Sequence, residues 1–492
     1  MNFVWSVVAL AALAVPAYAG VDGDDDDKKA TVSDPLKRLE KVEEELRQLK
    51  AAREMGLPER MSLEGQDKKD APKGDAEFKV SFTDGFHLKT TDGNFDLHIG
   101  GRWEEEYRYV FNRHTDTGAG LRTNTNTFYA REMFLSLDGT LFKDWGFKLN
   151  GDFSQNQTAT ALPASTGAII EEAWVEWKTF KEIRLMFGSF KAPASFEITD
   201  SPRFAKIIQR SPIARFEPNF DTGIKAYGSF LDNTFTYELA VSNGRSHLAN
   251  VGRDNNDDND GKEYVGRITI APFASDKDSP LKYFRVGAFG TFQHVGSTSG
   301  LVPTGWPGNI NTNELNVNYF QFPGGFTFRG DRYRVGGEFT ATYGPAMVRG
   351  EVMGRTDELV VTATGSHSLL VVLGYYVEGS FMLTGEDEIP NGRVVPKRPF
   401  NIGEGQFGAF EIVGRFGAAS LNRDTLTDLG ANLVANSNRA SSITIGFNWW
   451  PVQNVRFGLD YIGENYYQGV QLSPGHHGSH VNGILARFQV DF

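Results

Sequence analysis

From about residue 76 to its end the chain alternates. Phe95, Leu97, Ile99 and Trp103 are interleaved with Asp96, His98 and Arg102. Trp145, Phe147, Leu149 and Phe153 are interleaved with Lys148, Asn150 and Asp152, and Ile443, Ile445, Phe447 and Trp449 with Thr444, Gly446 and Asn448. A period of two places one set on each face of a strand. The pattern predicts strands near 95–111, 126–140, 144–158, 168–178, 182–190, 220–230, 234–243, 262–272, 280–294, 331–343, 346–357, 369–382, 406–417, 441–450, 453–464 and 482–492. The last of these, ILARFQVDF, keeps Ile484, Ala486, Phe488, Val490 and Phe492 on one face.

The connectors alternate as well. Residues 142–145, 231–233, 343–345 and 451–453 are short, whereas 191–218, 244–261, 295–330, 418–440 and 465–481 are long and polar or Gly-rich. Residues 383–405 break this rule, being long where a short turn is expected. Strands of about ten residues with short turns at one end and long loops at the other describe an outer-membrane barrel. Hydrocarbon cannot satisfy an open sheet edge, so the sheet must close. The expectation is an all-β chain, a transmembrane antiparallel β-barrel of about 16 strands over residues 76–492, apolar outside and polar inside. A secreted β-sandwich or propeller would have to explain charges on one face of nearly every strand.

The N-terminus follows other rules. MNFVWSVVALAALAVPAYAG is apolar up to Ala17-Tyr18-Ala19, a small-x-small cleavage site, although no Lys or Arg precedes the apolar run. Residues 1–19 read as a signal peptide and 20–35 as an acidic linker. Within 36–56, Leu39, Val42, Leu46 and Leu49 make a short coiled-coil seam, opened by Asp34-Pro35 and ended by Gly56 and Pro58. A helix this short is marginal alone, so it oligomerises or packs on something. Residues 57–75 are a second linker.

Composition narrows the chemistry. There is no cysteine, which excludes disulfides and thiolate metal sites. The net charge of −12 argues against nucleic acid as a partner. Against that background residues 191–215 carry Lys191, Arg203, Lys206, Arg210 and Arg215 against only Glu197 and Asp200. A loop folded into a barrel after the fifth strand would set such a cluster in a narrow passage, where it concentrates small anions. Arg102, Lys148, Arg184, Arg267, Arg334, Arg349, Arg415, Arg456 and Arg487 share the lumen parity, but so do Glu172, Glu238, Glu338, Glu351 and Glu411. The wall is therefore either electropositive or a charge-balanced network. The NNDDNDG segment at 255–261 has a calcium-loop register, but Arg267 stands where a Glu ligand belongs, so it reads as an acidic loop. His476, His477 and His480 lack the supporting ligands of a metal site. No catalytic dyad or cofactor motif is visible, so no enzyme activity and no cofactor are expected.

Four segments, in order, resemble the phosphate-selective porin O and P family: NTFYAREMFLSLDGTLFKDWGFKLNGDFS, RLMFGSFKAPASFE, LTGEDEIPNGRVVPKRPFNIGEGQFGAFEIVGRF and ITIGFNWWPVQNVRFGLDYI. The resemblance implies a homotrimeric sixteen-strand barrel in the bacterial outer membrane, a passive channel for anions such as phosphate, with basic residues at the constriction. It carries over directly to Arg131 and Lys191. Glu132 and Phe134 stand where the family often has further arginines. The terminal Phe492 resembles the C-terminal signal that the barrel assembly machinery reads. A general non-selective porin, and a structural barrel whose N-terminal helix tethers the membrane to the cell wall, are the alternatives.

Overall fold

In a computed structural model, the described residues are 77–82, 84–111, 126–154, 169–244, 260–296, 309–322, 324–428, 430, 436–473 and 476–492. The expected signal peptide, linkers and coiled coil lie outside them, as does most of the acidic segment at 255–261.

A hairpin, β1 (Phe78–Phe82) and β2 (Phe86–Thr90), opens the fold. Asp84 and Gly85 turn it with φ of 57° and 110°. Then come β3 (Phe95–Val110), β4 (Asn126–Leu141), β5 (Trp145–Asp152), β6 (Ile169–Trp177), β7 (Arg184–Lys191), β8 (Phe220–Phe230), β9 (Phe235–Ser242), β10 (Glu263–Ile270) and β11 (Arg285–Val295). A small pair, β12 (Asn309–Asn311) and β13 (Asn318–Gln321), precedes β14 (Phe326–Tyr343), β15 (Ala346–Val361), β16 (His367–Met382), β17 (Ala409–Leu421), β18 (Arg439–Val452), β19 (Val455–Ser473) and β20 (His476–Asp491). From β3 to β11 and β14 to β20 each strand is antiparallel to the next. β20 then pairs with β3, from Gly483 opposite Val110 to Asp491 opposite Arg102, so sixteen strands close into a barrel. Below this seam β2 takes over the same edge of β3, with Phe86 opposite Ile99.

The closed sheet turns the usual core inside out. Trp103, Leu135, Ile224, Val335, Leu373 and Ile445 are exposed on the outer face, where hydrocarbon would meet them. Glu378, Glu411, Arg415, Asp460 and Arg487 are buried inside. One departure from regular pairing matters for the lumen. At a bulge, Glu104 opposes Glu132 while Glu105 opposes Ala130, leaving Arg131 as the extra residue. Arg131 and Glu132 consequently both line the interior.

The segment expected as a loop at 465–481 differs from expectation: β19 runs to Ser473 and β20 starts at His476. A hairpin rising clear of the bilayer needs no apolar face, so its polar and glycine residues hid it. β1 and β2 also lie outside the strands predicted above, despite their alternation and Asp-Gly turn.

Three of the described insertions that enter the lumen bear on the site. Residues 192–219, between β7 and β8, carry the short helix α1 (Phe196–Thr199), capped by the Ser195 hydroxyl on Ile198 N–H. Residues 309–322 form the second, and the turn 383–408 between β16 and β17 is the third. Ile213 and Phe216 of the first pack with Ile310, Leu315, Val317 and Phe320 of the second in an apolar cluster inside the barrel. The wall makes room for it: a Cβ on Gly374 would lie 2.4 Å from Ile213, and one on Gly417 would lie 2.8 Å from Pro212.

Candidate functional site

A loop in a wet barrel must find partners for its backbone groups. The wall supplies them with arginines, whose several donors suit the task. Arg334 and Arg355 each donate to the Phe216 carbonyl at 3.1 Å. Arg415 donates to the Gln209 carbonyl, and Arg487 to that of Ile208, both at 2.8 Å. Arg456 reaches the Lys206 carbonyl at 2.7 Å. Carboxylates receive the N–H groups: Phe196 N–H donates to Glu338 at 2.9 Å, Glu197 N–H to Glu351 at 2.8 Å, and Ile208 N–H to Asp460 at 2.7 Å. The second insertion is held in the same way, with Arg415 (3.2 Å) and Ser442 (2.8 Å) donating to Glu314.

The sequence-derived basic residues divide into two groups. Lys206 is buried, its Nζ 2.6 Å from Glu388 and 2.9 Å from Glu411. Burial works against its charge, but Glu411 and Glu388 outweigh it and hold the pKa above the ordinary lysine value. Arg203 pairs with Asp491 and donates to the Phe492 carbonyl at 3.2 Å. Arg487 pairs with Glu104 (3.1 Å) and Glu106, Arg102 with Glu132 and Glu104, and Lys148 with Glu172 at 2.5 Å. Arg456 also grips Asn448 at 2.8 Å. These side chains hold the architecture.

The second group is freer. Arg210 has no ion pair among the described residues and lines a cavity of about 60 Å³ with Arg131, Glu132, Glu197, Arg349, Arg415 and Arg487. Arg131 is half exposed and only grazes Glu132, at 3.8 Å. Lys191 donates to the Asp200 carbonyl at 2.9 Å and lines a cavity of about 300 Å³ with Lys148, Glu171, Glu172 and Arg203. Arg184 lies over the Tyr227 ring, 5.9 Å from its centroid. It faces a third cavity, about 570 Å³, with Lys181, Arg267, Lys282 and Arg285 against Glu238. Arg215 is exposed. In each of these cavities basic side chains outnumber acidic ones, against the sign of the whole chain.

Behind the loop the balance reverses. Glu217 is buried among Glu351, Glu197 and Ser195, and burial with the two neighbouring carboxylates pushes its pKa well above the ordinary value. Burial also raises Glu314, in spite of Arg415. Phe492 closes the seam: its carbonyl accepts Gly101 N–H at 2.8 Å and its N–H donates to the Gly101 carbonyl at 3.0 Å. Among the described residues no cluster of His, Asp and Glu is arranged to hold a metal ion.

Sequence reasoning missed that Arg334, Arg355, Arg415, Arg456 and Arg487 point at loop carbonyls. It also missed the second insertion, although INTNELNVNYF alternates apolar residues with asparagines and marks a buried pair of short strands.

Comparison with known proteins agrees with this architecture. The sequence profile of the phosphate-selective porin O and P family matches residues 104–492. Porin O of Pseudomonas aeruginosa is 22% identical over 406 residues, covering 79% of this chain and 87% of that protein. The outer membrane channel DcaP of Acinetobacter baumannii superposes with a TM-score of 0.50 at 12% identity, over 83% of this chain and all (100%) of that one. An anion-selective porin from Comamonas acidovorans superposes with a TM-score of 0.47 at 12% identity, over 80% of this chain and 99% of that one.

Proposed function

This chain belongs to the phosphate-selective porin O and P family, and from that membership we propose that its outer-membrane barrel is a passive channel whose anion preference is set by Arg210, Arg131 and Lys191. As a porin of this family it sits in the bacterial outer membrane, with the short turns on the periplasmic side. The family's preference is for anions such as phosphate.

One observation carries the residue assignment. Most of the luminal cations face carboxylates or loop carbonyls, whereas Arg210 makes no ion pair among the described residues and stands in a cavity lined by five arginines against three carboxylates. In a confined, poorly screened passage, surplus positive charge raises the local anion concentration. Arg203 and Lys206 serve instead to anchor the loop. No chemistry is asked of the site: solutes pass and nothing is transformed. The test is a planar-bilayer measurement in a salt gradient with Arg210→Glu and Arg131→Glu. The reversal potential should move toward cations in each and further in the double variant; an unchanged potential in the double variant would reject the assignment.

A general porin is the second reading. The pairs Arg487–Glu104 and Lys148–Glu172 favour it, because they cancel wall charge. Phosphate competition separates the two, since chloride current through a general pore is indifferent to added phosphate.

The homotrimer is likewise our reading. Glu105 opposes Phe488 and Ala130, so its carboxylate projects outward among Trp103, Tyr107 and Met133. A carboxylate in lipid is costly, whereas a neighbouring subunit can supply donors. The exposed Phe78, Val80 and Phe82 of β1 continue the same outer face below the seam. Phe492, whose backbone joins β20 to β3, fits the role of assembly signal.

A further inference from the structure

The turn 383–408 is out of place. Its neighbours at the same end, 344–345 and 453–454, are as short as turns can be. The long turn doubles back into the lumen and is fastened to three elements. Glu388, nearly inaccessible to solvent, accepts from Lys206 of the loop at 2.6 Å and from Ser380 of β16 at 2.5 Å. Asn391 Oδ1 accepts Ser201 N–H, at the loop's tip, at 2.8 Å. Arg393 donates to Asp491 of β20 at 2.8 Å. Burying one lysine between two carboxylates stabilises little by itself; its use is to fix one arrangement.

That arrangement places the turn's tip where the luminal cavities meet. Asn391 lines both the 300 Å³ and the 60 Å³ cavities, and the adjacent Pro390 lines the 570 Å³ cavity. Asn391 has φ of 50°, a left-handed conformation that Asn tolerates. With Oδ1 engaged by Ser201, its Nδ2 hydrogens are left for the passage. They form a neutral donor next to the cavity of Arg210.

We propose that Asn391, at the tip of the inward-folded turn 383–408 and opposite Ser201 of the loop, is a specificity-determining residue that solutes pass and hydrogen-bond. A neutral amide donor suits an oxyanion or a hydroxyl-bearing solute and does not hold a cation. The proposal rests on the channel reading. If the unmodified protein passes no current, that reading fails; if it conducts and Asn391 is irrelevant, the assignment of Asn391 fails alone.

The chain has no cysteine, so single thiols can be placed cleanly. The experiment uses the full chain in planar bilayers with Asn391→Cys, and with Val395→Cys as the control, an exposed position of the same turn outside the cavity linings. A bulky anionic methanethiosulfonate is added from the turn side, and labelling is confirmed by mass. Modification of the Asn391→Cys variant should lower single-channel conductance by roughly half or more and shift the reversal potential toward cations, because a bulky negative group narrows and recharges the passage. Modification of the Val395→Cys variant should change neither. An Asn391→Cys variant that is labelled yet conducts as before, or that folds yet cannot be labelled, overturns the proposal.

Discussion

Replacing Lys206 with methionine tests whether the loop is held by charge. The lysine Nζ lies 2.6 Å from Glu388 and 2.9 Å from Glu411, all three side chains nearly inaccessible. With an effective dielectric of about 20 and about 4 Å between charge centres, the attraction to the charged Glu411 is worth about 4 kcal/mol before desolvation, and that to Glu388, whose carboxyl titrates near neutral pH, is worth less. Removing the partner of a buried charge costs about 3–5 kcal/mol. Methionine keeps much of the stem's packing beside Trp450, so the loss is mainly electrostatic. The remaining anchors exceed it. Arg334, Arg355, Arg415, Arg456 and Arg487 each donate to a loop carbonyl, and a hydrogen bond to a charged group contributes about 1.5–3 kcal/mol. Lys206→Met should therefore leave the barrel closed, lower its unfolding midpoint in guanidinium, and raise open-channel noise as the loop loosens. Adding Glu388→Gln and Glu411→Gln removes the uncompensated charge and should recover most of the loss. If Lys206→Met unfolds at the same denaturant concentration with the same noise, or if the triple variant is no better than the single one, the electrostatic account is wrong.

Two further outcomes follow from the same geometry. Burial raises Glu388 to about 7 even with Lys206 beside it, above the value of about 4.3 expected in the unfolded chain. The folded form therefore binds the extra proton: this contribution to stability is complete below about pH 4 and is lost as pH rises through about 7. Open-channel noise should grow across that window and stay flat in Glu388→Gln; an identical pH profile in the variant would refute the assignment. Glu105→Arg should convert a native-gel trimer to monomer without loss of the barrel's circular dichroism, and a trimer that persists would place the subunit contact elsewhere.

How much of this could be read in advance depends on which physical constraint wrote the residues. Lipid outside and water inside force the period of two, so the sixteen barrel strands were visible in Phe95–Trp103 as plainly as in Val455–Tyr461. Where the bilayer ends, so does that constraint, and β19 beyond Glu464 was lost among polar residues. The luminal loop was visible through its charge, but the occupation of each cation was not. Lys206 did carry a signal, lying in FAKIIQ between Ala205 and Ile207, apolar neighbours that foreshadow burial. Arg456 and Arg487 carried none, because parity reports a face and says nothing about which carbonyl stands opposite.

That distinction bears on how selectivity is built. A barrel this wide would conduct without discrimination unless its lumen were narrowed, and narrowing it with loops imports backbone carbonyls that need donors. Arginine answers that need on the wall, with carboxylates answering the N–H groups, so much of the luminal charge is consumed in building the constriction. Counting basic residues overstates the charge left for a solute. What remains is a small surplus where loop, wall and turn meet, around Arg210, Arg131 and Lys191. Selectivity should then respond steeply to substitutions at these positions, while the more numerous paired arginines should register first in stability and noise and only afterwards in reversal potential.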